Sequence, residues 1–321
     1  MESTLNSGVL IAQQFDSFEE LAEIAIGWDT DFRQLTAEHF KSELFQAQSG
    51  SVLLSNAHFG CHVDQREATP AGMRTFGIPH SDCPEIRWFG HVTGTDVLLA
   101  FPTHGEVQAF SRPGFSVSTF SISEPLLEEL FQRNGAPGLD KILGSGETIV
   151  PTPPLLLNKL RLQLHQMQSM VQSDADPAFV RILSDELQNQ LLLALFGILT
   201  RCKPASTLSE AGSHRKLAPI FDYLHAYPQR PLRMAEICAI AHVSERTLQN
   251  LFKRELDMTP KAFLNGQRLH GVHRELWCAE PPTTSITDIA NHWGFWHMGQ
   301  FAADYRRLFG ELPSATLKRG H

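Results

Sequence analysis

The chain has 321 residues, enough for about two domains with separate cores. Hydrophobic residues make up 42% and charged residues 19%, the balance of an ordinary globular protein. The formal net charge of -8 speaks against nucleic-acid binding by the surface as a whole. The five cysteines are odd in number and scattered, which speaks for reduced thiols and against a disulfide framework.

The amino-terminal run MESTLNSGVLIAQQFD has no basic segment ahead of a long apolar stretch, so no secretory signal is expected. The longest apolar stretch, Leu191 to Leu199, is about half of what a membrane span needs. No membrane partner is implied, and a cytoplasmic location is expected. Residues 1 to about 45 contain an amphipathic segment, FEELAEIAIGWDTDFRQL. From Phe45 to about Val150 short apolar runs (SVLLSNA, MRTFGIP, IRWFGHV, DVLLAFP, FSVSTFSI) alternate with Gly, Pro, Asp and Thr. That texture predicts short strands in a barrel or sandwich, interrupted near Glu124 by a helix, EPLLEELFQRNG.

Within the strands, Phe76, Trp88 and Phe89, with Phe101 and Arg87, form the candidate lining of a small-ligand cavity; their plainer reading is core. His58, Cys61 and His62 lie close together, and His80, Cys83 and His91 could join them, but the expected acidic ligand is missing, so no metal is assigned. There is no nucleotide-binding glycine motif, no GxSxG elbow and no HExxH, so no cofactor and no catalytic residue is implied.

Beyond the proline-rich VPTPP, residues Leu157, Leu160, Leu164, Met167 and Val171 repeat at heptad spacing. They predict a helix that either packs on its own barrel or pairs two copies of the chain. A second apolar helix from Ala178 to Arg201 follows. Residues 203–214 are polar and small and read as a linker. Charge then changes sign: residues 211–321 hold 14 Lys and Arg against 10 Asp and Glu, leaving 13 against 25 for residues 1–210. A mildly basic carboxy-terminal half beside an acidic partner fits a nucleic-acid reader.

The carboxy-terminal half contains a repeated unit. Ile286 to Pro313 reads as a short helix, a turn at Gly294 and a second amphipathic helix ending before Pro313, the pattern of a helix-turn-helix. Ser244 to Pro260 aligns with His297 to Pro313 without a gap. Leu248 falls over Phe301, Phe252 over Tyr305, Leu256 over Phe309 and Pro260 over Pro313. The upstream helices match if the second turn holds one extra residue. The 20 residues from Pro260 to Ala279 would span roughly 30 Å as a helix, close to the roughly 34 Å between major-groove segments on one side of B-DNA.

These residues resemble the AraC/XylS family of bacterial transcription regulators, whose second-repeat pattern stands here as Gly294, Phe295, Phe301, Tyr305, Phe309, Gly310 and Pro313. Asp257 departs from the family's usual glycine, although aspartate tolerates the left-handed backbone required there. The resemblance implies an α+β chain with a β-rich cupin-like amino-terminal domain, a helical linker layer and an all-α carboxy-terminal domain with two helix-turn-helix motifs. The divisions are 1–150 (sensor), 151–202 (helical layer and dimer helix), 203–214 (linker) and 215–321 (reader). It implies double-stranded DNA, a small-molecule effector and RNA polymerase as partners, a homodimer, activation of transcription and no enzymatic activity. The rival reading is a cupin-type metalloenzyme with an accessory helical domain.

With Leu248 and Phe252 inward, Arg246, Gln249 and Asn250 face outward, able to bond guanine and adenine edges. Lys253 and Arg254 suit phosphate contact. In the second unit the matching positions are Gly299, Ala302 and Ala303, with His297, Met298 and Gln300 nearby and Arg306 and Arg307 toward the backbone.

Overall fold

The computed structural model describes residues 8–319 except 16, 37–41, 89–90, 104–106, 145, 147, 174–175, 206–210, 228–229, 231 and 281–282. The first half opens with β1 (Gly8–Phe15), α1 (Phe18–Ile24), β2 (Asp29–Gln34), β3 (Ser42–Ser49), β4 (Val52–Phe59), β5 (Val63–Ala68) and β6 (Met73–Pro79). It continues through β7 (Ile86–Trp88), β8 (His91–Thr93), β9 (Val97–Ala100), β10 (Val107–Ser111), β11 (Phe115–Ser123), α2 (Glu124–Arg133), α3 (Leu139–Leu143) and β12 (Thr148–Pro151). Two long helices follow, α4 (Pro154–Val171) and α5 (Pro177–Arg201).

Strands begin at Gly8, well before Phe45. The segment expected to be one amphipathic helix is α1 alone, capped by Ser17 and followed by a turn at Gly27 and then β2. Only Ile11 and Phe15 of β1 are buried, so this edge strand shows little apolar alternation to read.

Two sheets face each other. One has seven strands in the order β1-β3-β4-β11-β6-β9-β12, the other five in the order β2-β5-β10-β7-β8. The side-chain period of two divides each strand between two environments. On β11, Phe115, Val117 and Thr119 face the space between the sheets, while Phe120 and Ile122 face outward. The outward set joins Phe76, Ile78 and Leu98 under α2, α4 and α5.

The heptad positions Leu157, Leu160, Leu164 and Met167 lie in that same layer, packed with Leu187, Leu191 and Leu195 of α5 and 6% exposed at most. Of the two readings of the seam, the one in which it packs within its own chain describes this arrangement. Such a seam reports an apolar helix face without reporting which surface covers it.

The second half is α6 (Ala211–Ala226), α7 (Met234–Ile240), α8 (Glu245–Leu256), α9 (Pro260–Trp277), α10 (Ile286–His292), α11 (Met298–Phe309) and α12 (Pro313–Arg319). The repeat is carried to the last residue: α8 and α11 are 12 residues each, their C-caps Asp257 and Gly310 are both left-handed, and α9 and α12 both start on proline. The connector α9 stops at Trp277, so its 18 residues span about 27 Å rather than 30.

The turns match as well. Val243 N–H donates to the Cys238 carbonyl as Phe295 N–H donates to that of Ala290, closing the helix end in both units. The left-handed residue is Gly294 in one turn and His242, at φ 50°, in the other. A histidine there forgoes about 1 kcal/mol that glycine would not. His242→Gly is therefore expected to raise stability by about 0.5–1 kcal/mol, after the added freedom of the unfolded glycine is counted. Urea denaturation of the two proteins at constant m-value measures it.

Candidate nucleic-acid interface

Each unit buries one side of its second helix and leaves the other bare. In α8, Leu248, Leu251, Phe252 and Leu256 are buried; Ser244 caps the helix by accepting from Thr247 N–H at 3.2 Å. Arg246, Gln249, Asn250 and Lys253 are exposed. Gln249 reaches Glu245 at 3.4 Å, and Lys253 is paired with Asp257 at 2.5 Å. Arg254 is paired with Glu255 at 2.8 Å. Arg246 and Asn250 have no side-chain partner among the described residues. They are two donor-rich groups aimed at solvent from the first turns of a helix.

In α11, Phe301, Tyr305 and Leu308 are buried, and Tyr305 is fixed by hydrogen bonds to His273 at 2.7 Å and Thr316 at 2.8 Å. Gly299, Gln300, Ala303, Arg306 and the cap residue His297 are exposed, with Met298 and Ala302 half-buried. Gln300 is bonded to Asp304 at 3.0 Å, and so is Arg307 at 2.7 Å. Two of the polar candidates of the second helix are thus already engaged with the same carboxylate. Trp296, just ahead of this helix, is 72% exposed. Its position in an otherwise buried aromatic run gave no signal that it faced outward.

The connector α9 carries both units. Gly271 lies against the Trp293 ring, where a Cβ would come within 2.1 Å of ring carbon, and Trp293 Nε1 donates to Glu275 at 2.7 Å. Its other side docks on the five-stranded sheet. Gln267 accepts from Arg33 of β2 and donates to Asp64 of β5 at 2.6 Å. Arg274 pairs with Asp31. His273 lies 3.3 Å from Glu19 of α1, and Gln34 donates to the Leu308 carbonyl at 3.1 Å. Beside this polar strip, Phe110 packs against Phe221 at 4.9 Å, and Leu35 joins the core of the first unit. The polar positions Gln267, His270 and His273 recur every third residue, a pattern the reading of this stretch as a plain spacer passed over.

Two of these groups make the seam sensitive to acid. Burial pushes the His270 imidazole down to about 3, an effect that Glu19 only partly offsets. Burial would raise the Glu19 carboxyl, but its hydrogen bond and electrostatic interaction with His273 outweigh this and hold it at about 2. A histidine kept neutral on folding destabilises the folded chain once the unfolded chain takes up its proton, below about pH 6.5. A carboxylate kept ionised contributes stability above its unfolded pKa near 4.5 and loses it as pH falls toward 2. Both effects run the same way. Stability should fall below pH 6.5 by up to about 1.4 kcal/mol per pH unit, and His270→Gln should flatten that decline between pH 6.5 and 5. Thermal melts across pH 5–8 check this.

The candidate ligand residues separate. Trp88 lines a 60 Å³ cavity between the sheets, its ring 4.7 Å from that of Phe101. Phe76 does not line it: strand alternation turns Phe76 to the opposite face, stacked on Phe120 at 5.5 Å beneath the helices. Phe89 lies outside the described residues, as does the side chain of His91. His80 is bonded through its two ring nitrogens to Ser118 and Ser116, each at 2.9 Å, and Cys83 Sγ accepts from Ser116 N–H. Cys61 is fully buried and His62 bonds Thr36. Among the described residues no three His, Cys, Asp or Glu side chains converge to hold a metal. Nor is any described helix long and apolar enough to cross a membrane.

A family model described as a helix-turn-helix domain matches residues 237–319. The probable thc operon regulatory protein of Rhodococcus erythropolis is 39% identical over 97 residues, 30% of this chain and 29% of that protein. The XylDLEGF operon transcriptional activator of Pseudomonas putida is 34% identical over 100 residues, 31% of each. The crystal structure of a probable AraC family transcriptional regulator from Rhodopseudomonas palustris CGA009 is 34% identical, covering 33% of this chain and 98% of that one, with a TM-score of 0.31. The chain thus spans under a third of the length of these two curated relatives.

The outward residues make distinct expectations. Arg246→Ala should relax preference at one or two base pairs, costing about 1–3 kcal/mol of discrimination. Lys253→Ala should weaken binding to all sequences alike and lower the salt slope by about one. Selection from random DNA, repeated with each variant at two salt concentrations, separates them.

Proposed function

We propose that this chain is, through its carboxy-terminal reader, a regulator of the AraC/XylS type and a sequence-specific activator answering to a small molecule, a reading supported by the helix-turn-helix match and the similarity to two curated operon regulators. The observation that carries the reading is the pair of equal-length helices with matched caps, each buried on one side and bare on the other. The first offers Arg246, Gln249 and Asn250 to base edges. The second offers small residues, with Gln300 and Arg307 held by Asp304, so it contributes chiefly through His297, Arg306 and fit to the DNA backbone. The half-site under α8 is the more sequence-constrained of the two.

In this reading residues 1–150 form a cupin-like sensor, 151–202 a helical layer, 203–214 a joint whose last four residues already belong to α6, and 215–321 the reader, in the cytoplasm and with RNA polymerase as a partner. Within the family we read residues 247–255 and 294–317 as resembling the ethanolamine-operon activator EutR, with a much fainter likeness at Phe76 to Pro79, and no effector is carried across on that ground. A homodimer would use the outer side of the helical layer rather than its buried seam. Leu155 and Leu162, a heptad apart on α4, are 82% and 56% exposed, and Ile182 and Leu193 on α5 are 68% and 59% exposed. His80 engages both ring nitrogens with serines, which gives no support to the metalloenzyme alternative.

Deleting residues 1–210 should abolish the response of a target promoter to growth conditions while operator binding by the remaining chain persists, seen by reporter assay and gel shift. Unchanged regulation by the truncated chain would remove the sensing role. Changing Leu155 and Leu162 to Glu should give monomers in sedimentation without loss of thermal stability, whereas Leu160→Glu should lower stability by several kcal/mol through burial of an unpaired charge.

A further inference from the structure

We propose that the cavity between the two sheets takes a small organic cation, its ammonium group on the Glu67 carboxylate and its carbon skeleton against the aromatic wall. The inference rests on the sensing role above and names the chemical class of the effector.

Strand β5 turns Val63, Gln65 and Glu67 toward the space between the sheets and Asp64 and Arg66 away from it. Glu67 lies between Thr30 and Val107 of its neighbouring strands. No hydrogen bond or ion pair holds its side chain among the described residues. Glu67 is half-buried, bordering both the cavity and the cleft beside α9, and an ionised carboxylate there is costly without a positive partner, which proteins ordinarily supply from a neighbouring side chain. Here the surrounding wall is Trp28, Phe32, Phe59, Trp88, Phe101 and Phe115. Burial accordingly pushes the carboxyl up to about 8.

The ligand that answers this environment is positive. Aromatic faces attract an ammonium group through the negative charge above the ring plane, and one carboxylate supplies the counter-ion. An anion would gain no counter-ion here and would further disfavour the ionised form of Glu67. A neutral apolar ligand would fill the space while leaving the carboxyl without a partner. Thr30 Oγ1 and Trp28 Nε1, both of residues lining the cavity, are buried without hydrogen-bond partners among the described residues, so a second polar atom on the ligand also has groups to meet. The volume of 60 Å³ admits only a few heavy atoms, since one water-sized sphere takes about 10–15 Å³. Glu67 also borders the 560 Å³ cleft between the sheet and α9, which offers a way in from solvent.

The same strands transmit the event. Thr30, Phe32, Gln65 and Glu67 meet the ligand, while the alternate residues Asp31, Arg33 and Asp64 hold α9. A cation drawn onto Glu67 acts on β2 and β5 from one side, and the reader is bonded to them on the other.

The test uses the full-length protein and three probes of similar size: n-propylammonium, 1-propanol and propionate. Calorimetric titration, with the fluorescence of the cavity tryptophans as a second readout, should show n-propylammonium binding at least tenfold more tightly than either of the others. Glu67→Gln, which keeps the side chain's shape, should erase that preference. Phe101→Leu should weaken the cation several-fold while leaving 1-propanol little changed. Equal binding of the three probes, tighter binding of propionate, no binding of the cation, or a cation preference that survives Glu67→Gln would each overturn the proposal. Sensing itself is decided separately by the truncation: a response lost with residues 1–210, together with failure of the cation, leaves a sensor of another ligand class.

Discussion

Gln267 sits where the helix joining the two readers meets the strand pair β2–β5, and its amide is held at both ends, its oxygen by Arg33 and its nitrogen by Asp64. An amide in this position cannot turn without leaving a charged group short of a bond inside the protein, a loss of about 1–3 kcal/mol. The registration of α9 on the sheet is thereby set to within a hydrogen bond. Because α9 also contributes Phe263 to the first unit and Leu269, Val272 and Leu276 to the second, that registration extends to both recognition helices. The β-rich half meets the helical half chiefly along this one helix, with Phe110 on α6 and Gln34 on α11 as flanking contacts.

The helix-turn-helix half was legible in the sequence to a degree the β-rich half was not, because its signals are local. A cap, a left-handed residue and a proline each act on the turn they occupy, so a gapless alignment of Ser244–Pro260 with His297–Pro313 is enough to place two helices and their ends. The exception is instructive. His242 occupies the left-handed position that Gly294 holds in the other unit, and histidine announces that conformation only weakly.

In the β-rich half, the strands could be read but not their faces. Phe76 and Trp88 look alike as aromatic residues in short apolar runs, yet one packs under helices and the other lines the cavity. Deciding between them requires the order of strands in the sheets, which depends on pairings far apart in the chain. The heptad on α4 has the same limitation, since an apolar stripe is satisfied equally by its own sheet or by another copy. The seam was least legible of all: Arg33 and Gln267 lie 234 residues apart, and neither stretch reads as unusual alone.

The chemistry of that seam bears on how easily the two halves can part. From the β-rich half, Leu35 and Phe110 supply apolar contact with the first unit, and the rest of the interface noted above is carboxylates, guanidinium groups, amides and histidines. Water can replace the bonding partners of such groups at modest cost, whereas it would strongly oppose the baring of an oily face. A released reader would therefore emerge wettable rather than adhesive.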